Sequence, residues 1–69
     1  MRVRLKVREI AEAKGYDRAK LARQSDLTYE TVHLIWKNPY RKVTVDTLLK
    51  LAHTLEVDLK ELYEEEEDE

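Results

Sequence analysis

A single all-α domain of five short helices, led by a short strand, is the fold this sequence predicts. Three observations lead there. Apolar residues recur at helical spacing in successive stretches, one glycine and one proline leave little irregular chain, and most stretches follow a residue able to cap a helix. A chain of 69 residues has room for one small core, so a second domain is excluded.

At the amino end Val3, Leu5 and Val7 alternate with Arg2, Arg4, Lys6 and Arg8, a period of two that suits a strand. Helical spacing takes over at Val7, Ile10 and Ala11, and Gly15 is placed to end the first helix. Asp17 caps a second helix with Leu21 and Ala22 inward, and Leu27 drops inward at the next turn. Thr28 caps a third helix, from Tyr29 to Lys37, which buries Val32 and Ile35 and stops at Asn38-Pro39. After a loop from Pro39 to Val43, Thr44 caps a fourth helix whose expected inner face is Val45, Leu48, Leu49, Leu51, Ala52 and Leu55. Asp58 to Glu61 reads as a capping box that opens a fifth helix, with Leu59 and Leu62 inward.

The boundaries expected are a folded domain over 1–63 and an acidic tail over 64–69. Three readings of that tail stand. It is a disordered solubilising end, or Tyr63 and the first glutamates pair as a strand with the basic Arg2–Lys6 segment, within one chain or across a dimer, or it competes with an anionic ligand for the basic half. Without cysteine there is no disulfide framework, and the longest uninterrupted apolar run, Leu34 to Trp36, is too short for a bilayer or a signal peptide. A soluble, cytoplasmic protein is expected, and a core this small gains from a partner subunit.

From Arg18 to Trp36 the two helices meet at a tight turn, the layout of a helix-turn-helix that reads double-stranded DNA. An ordinary helical hairpin in a bundle has the same periodicity, so the spacing alone leaves both readings open. Charge is distributed in favour of the first. The net charge of −2 splits into a basic half, with eleven Lys/Arg against five Asp/Glu over 1–42, and an acidic half, with two against ten over 43–69. Phosphate binding depends on local charge, because salt screens beyond about 8 Å. A pI near 5.7 nevertheless implies modest non-specific affinity.

The stretches VREIAEAKG, KLARQSDLTYETV and VTVDTLLKLAHTLEVDLKEL together resemble the Cro and phage-repressor-like helix-turn-helix regulators, also called the xenobiotic-response-element type. The resemblance spans nearly the whole chain and is nearest to the small single-domain branch. It implies a compact lambda-repressor-like fold and a transcriptional regulator, expected to be a repressor, acting as a homodimer on two half-sites about one helical turn apart. Asp26 stands where the family usually has glycine, in a turn that needs a left-handed backbone. Arg18 stands where the family often has a phosphate-holding glutamine. Ala11 and Trp36 stand where many members pair an arginine with a glutamate, which exchanges a buried ion pair for an aromatic ring over a small residue.

The DNA-binding residues expected are Arg18, Thr28, Tyr29, Glu30, Thr31, His33, Lys37, Asn38, Arg41 and Lys42. Glu30 is the candidate for direct readout, since a carboxylate accepts from cytosine N4 and is repelled by phosphate. Tyr29 is placed for a phosphate or a thymine methyl, Thr28 and Thr31 for phosphate oxygens, and His33 is a pH-dependent contact at most. Arg18, with Lys20 or Arg23, would clamp the backbone on one side, and Lys37, Asn38, Arg41 and Lys42 on the other. His33 and His53 lie on separate helices without ligand spacing, so neither catalysis nor a metal is expected, and no cofactor or small-molecule ligand is implied. The competing function is a protein-binding helical module, such as an antitoxin-like partner or a subunit of a repressor complex.

Overall fold

The computed structural model describes residues 2–67. Their order is strand β1 (Arg2–Leu5), helices α1 (Val7–Ala13), α2 (Arg18–Ser25), α3 (Tyr29–Lys37) and α4 (Val45–Leu55), a 3-10 turn (Leu59–Leu62) and strand β2 (Tyr63–Glu66). This corrects the five-helix all-α expectation. The fifth helical segment is one 3-10 turn, closed by the Glu61 N–H donating to the Asp58 carbonyl at 2.9 Å, and a two-stranded sheet joins the chain ends. Leu62 must enter the core and Tyr63 must already be extended beside Leu5, which leaves no second helical turn.

The strands are antiparallel, with Arg2 opposite Glu66, Val3 opposite Glu65, Arg4 opposite Glu64 and Leu5 opposite Tyr63. Alternation puts Leu5 in the core, with Tyr63 packed against it, and gathers Arg2, Arg4, Glu64 and Glu66 on the other face. The boundary expected between residues 63 and 64 thus falls inside β2. Glu64, Glu65 and Glu66 belong to the sheet rather than to a tail, while Asp68 and Glu69 lie outside the described residues.

Three helices end in the same way. At the end of α1 Gly15 has φ +82°, and the Tyr16 N–H donates to the Ala11 carbonyl at 2.8 Å. At the end of α2 Asp26 has φ +60°, and the Leu27 N–H donates to the Ala22 carbonyl at 3.0 Å. At the end of α4 Glu56 has φ +57°, and the Val57 N–H donates to the Ala52 carbonyl at 3.1 Å. Each is a Schellman ending, in which a left-handed residue reverses the chain and the apolar residue after it folds back on the core. Tyr16, Leu27 and Val57 all pack there, and the three alanines are buried.

The starts of α2, α3, α4 and the 3-10 turn follow the side-chain caps read from the sequence. Asp17 accepts from the Lys20 N–H at 2.7 Å, and Thr28 and Thr44 accept from the N–H of Thr31 and Thr47 at 3.2 Å each. Glu61 reaches back to the Asp58 N–H at 2.9 Å, as the capping-box pattern requires. The core joins Leu5, Val7, Ala11, Leu21, Val32, Ile35, Leu51, Leu55 and Leu62, all nearly or fully sealed from solvent. Two residues expected inside α4 lie outside it, since Val45 is 61% and Leu49 51% exposed. The stripe Leu48, Leu51, Ala52 and Leu55 already fills the inner face, and Val45 and Leu49 are rotated off its edge.

Glu56 has no residue-type preference for its left-handed backbone, which costs roughly 1–2 kcal/mol in a side-chain-bearing residue, partly offset by glycine's larger unfolded-state entropy. Glu56→Gly is therefore expected to stabilise the domain by about 1 kcal/mol, raising the urea midpoint at constant m, and Asp26→Gly by less because Asp tolerates the conformation.

Candidate nucleic-acid interface

Helix α3 owes its place to the elbow: the Leu27 N–H on the Ala22 carbonyl turns the chain, and the Thr28 hydroxyl starts the next helix. Val32 and Ile35 anchor it from below, leaving Tyr29 and Glu30 fully outward and Thr31 and His33 at the edge of the exposed face. At this end the hydroxyls of Thr28 and Thr31 lie 2.8 Å apart. One proton is shared inside the pair, and the other hydroxyl remains a donor for an outside oxygen.

Arg18, Tyr29 and His33 come together as one cluster. The Arg18 guanidinium donates to Nδ1 of His33 at 3.0 Å and lies 5.9 Å from the centroid of the Tyr29 ring. Tyr29 and His33, one helical turn apart, stack at 5.9 Å with their planes 10° apart. Because a guanidinium only donates, Nδ1 of His33 is the acceptor in this contact. Arg18 is thereby oriented from the start of α2 toward the side of α3. It also borders one concavity with Lys37 and the half-buried Trp36, completed by Arg8, Glu12, Tyr16 and Asp17. Trp36 packs against the core, and Ala11 is completely buried.

Glu30 sits on the second residue of α3, exposed, with no hydrogen bond or ion pair among the described residues. Lys37, Arg41 and Lys42 are likewise exposed, and no ion pair among the described residues engages them or Arg18. Asn38 has a structural duty: its Oδ1 accepts from the Tyr40 N–H at 3.0 Å and its carbonyl from the Arg41 N–H at 3.2 Å, which builds the turn that carries Arg41 and Lys42. Lys20, one of two residues expected beside Arg18, instead places its ammonium 4.9 Å from the Tyr16 ring centroid.

The basic amino end is not part of this free positive surface. Arg2 pairs with Glu66 at 3.3 Å, Arg4 with Glu9 at 2.6 Å and Glu64 at 3.3 Å, and Arg8 with Glu12 at 3.5 Å. Arg4 is held above the ordinary guanidinium value, first by the hydrogen bond to Glu9. One feature of the loop after α3 is missing from the expected site. The Tyr40 hydroxyl donates to Glu66 at 2.9 Å, a bond that raises its pKa above the ordinary phenol value, and the Arg2 guanidinium lies 4.2 Å from its ring centroid. Contacts spanning Arg2, Tyr40 and Glu66 carry no local sequence signal.

A helix capped and oriented in this way, flanked by unpaired cations, is the geometry of a major-groove reader. The chain belongs to the family of Cro/C1-type helix-turn-helix DNA-binding domains, whose model matches residues 6–68. Among solved structures it is similar to the restriction-modification controller protein C.AhdI from Aeromonas hydrophila, with 32% identity and a TM-score of 0.72 over 81% of this chain and 83% of that one. No curated protein matches it. The chain is accordingly a DNA-binding regulator of transcription, of a family that acts by binding rather than catalysis. Among the described residues no helix is long and apolar enough to cross a membrane.

Arg18→Ala and Arg41→Ala are each expected to weaken duplex binding about equally across sequences. Each should lower the slope of log affinity against log salt by about 1, measured by fluorescence anisotropy, while leaving the preferred sequence unchanged.

Proposed function

We propose that this chain represses transcription by binding a specific duplex sequence, with the amino-terminal half of α3 in the major groove. The observation that carries the reading is Glu30, a carboxylate exposed and unpartnered at the leading end of α3 between cation-bearing flanks. A carboxylate there lowers phosphate affinity, so its value lies in choosing a base that donates, cytosine N4 foremost. Arg18, held by His33, and Arg41 and Lys42 in the following loop take phosphates on the two sides, with Lys37 and the Thr28–Thr31 pair as further backbone donors. Tyr29 covers the cluster and meets the sugar-phosphate edge or a thymine methyl. Occupying the groove excludes other proteins from the same site, hence repression in the cytoplasm of the cell that carries the target.

One such domain reads few base pairs, and a homodimer supplies the second half-site. The face available for it is on α4, where Val45 and Leu49 are exposed beside a groove lined by Ala52, Val57 and Leu59. Asp46 near the start of that helix, paired within the chain with Lys50 at 3.7 Å, and His53 near its end would oppose each other across a two-fold axis near Leu49.

Selection of binding sites from a random duplex library tests the reading. An inverted repeat should be enriched, and Glu30→Ala should relax the preference at one position per half-site at a cost of about 1–3 kcal/mol in discrimination. Failure of the folded chain to enrich any motif contradicts it. Leu49→Glu should convert the dimer to monomer in sedimentation velocity and abolish the preference for paired half-sites without altering the half-site itself.

A further inference from the structure

We propose that Glu66, at the end of the acidic strand β2, is a positioning residue for DNA binding: through Tyr40 it holds the loop that presents Arg41 and Lys42 to the phosphate backbone. The inference rests on the DNA-binding role given to that loop.

Residues 38–43 have no regular structure beyond the turn built on Asn38. Their anchors lie at the two ends. At the far end Val43 packs against the core. At the near end the Leu5 N–H donates to the Pro39 carbonyl at 2.6 Å, and the Tyr40 hydroxyl donates to Glu66 at 2.9 Å. Arg41 and Lys42 are suspended between these points. The second anchor is itself braced, because Arg2 lies over the Tyr40 ring at 4.2 Å and pairs with the same Glu66 oxygen at 3.3 Å. Three segments remote in sequence thus meet at one partly buried carboxylate beside the loop. A surface ion pair adds little to global stability, so the consequence of this contact is the direction of the loop rather than the survival of the fold.

Glu66 also has an opposite effect. Its negative charge beside a phosphate-binding loop repels DNA, so electrostatics alone says that deleting it tightens binding. The two effects differ in sign and respond differently to substitution. Glutamine keeps a side-chain oxygen to accept from the phenol and removes the charge, alanine removes both, and Tyr40→Phe removes the hydrogen bond while leaving the charge and the ring beneath Arg2.

The full chain and its Glu66→Ala, Glu66→Gln and Tyr40→Phe variants are to be compared on the duplex motif enriched by the wild type. Folding is checked by thermal unfolding, and backbone order at Arg41 and Lys42 by nitrogen-15 relaxation without DNA. Glu66→Ala and Tyr40→Phe should each weaken binding by about threefold to tenfold, with a salt slope lower by about 1 and more mobile amides at 41 and 42. Glu66→Gln should retain wild-type order and bind as tightly as the wild type or tighter. Equal tightening by both Glu66 variants with Tyr40→Phe unchanged overturns the inference, as does unaltered order at 41 and 42 in Tyr40→Phe. A wild-type chain that binds no duplex overturns the DNA reading as well, whereas loop order lost without loss of affinity overturns the positioning role alone.

Discussion

The hydrogen bond from the Leu27 N–H to the Ala22 carbonyl is the contact on which the arrangement of this molecule depends. It forms only if Asp26 adopts a left-handed backbone, and it sends the chain from α2 into α3 at an angle that brings Arg18 against His33. The same ending recurs at Ala11 and Ala52, so one local device ends three of the four α-helices. Alanine suits the position because it is buried where neighbouring segments approach closely, and the apolar residue after the reversal covers it. With no disulfide available, a core of this size gains its definition from such repeated, locally encoded reversals.

A net charge of −2 is compatible with DNA binding because the charges are sorted in space. Basic residues at the amino end are matched by Glu64 and Glu66 across the sheet and by Glu9 and Glu12 on α1. These contacts keep the acidic end on the ribbon, away from the leading end of α3. Among the cations without an ion pair in the described residues, Arg18, Lys37, Arg41 and Lys42 flank α3, the second helix of the helix-turn-helix. Screening makes that local set the relevant one.

What the sequence revealed is what depends on neighbours within a few residues. Asp17, Thr28 and Thr44 announce helix starts by chemistry, and Leu21, Ala22, Val32 and Ile35 announce two inner faces by period, so the elbow was legible in full. Glycine signals a left-handed ending at position 15, but Glu56 carries no such signal and adopts it because Val57 must return to the core. Strand β1 was legible as alternation. Its partner was one of several readings, since a run of glutamates has no apolar period and pairs through charges some sixty residues away. Val45 and Leu49 were misplaced because periodicity gives a helix an apolar side without saying where its buried edge ends. In the candidate site the outward set on α3 followed from the inward set, whereas the turn duty of Asn38 and the bond from Tyr40 to Glu66 depend on tertiary contacts.

In the proposed reading α3 and its two flanks form one DNA-contacting surface, which the acidic strand meets through Glu66 and Tyr40. Mapping backbone amide shifts of the labelled protein during titration with its preferred duplex tests this most directly. The largest changes are expected at Arg18, from Thr28 to His33 and from Lys37 to Lys42, with small changes at Glu64, Glu65 and the solvent face of α1. Largest changes along β1 and β2, with α3 unmoved, would contradict it.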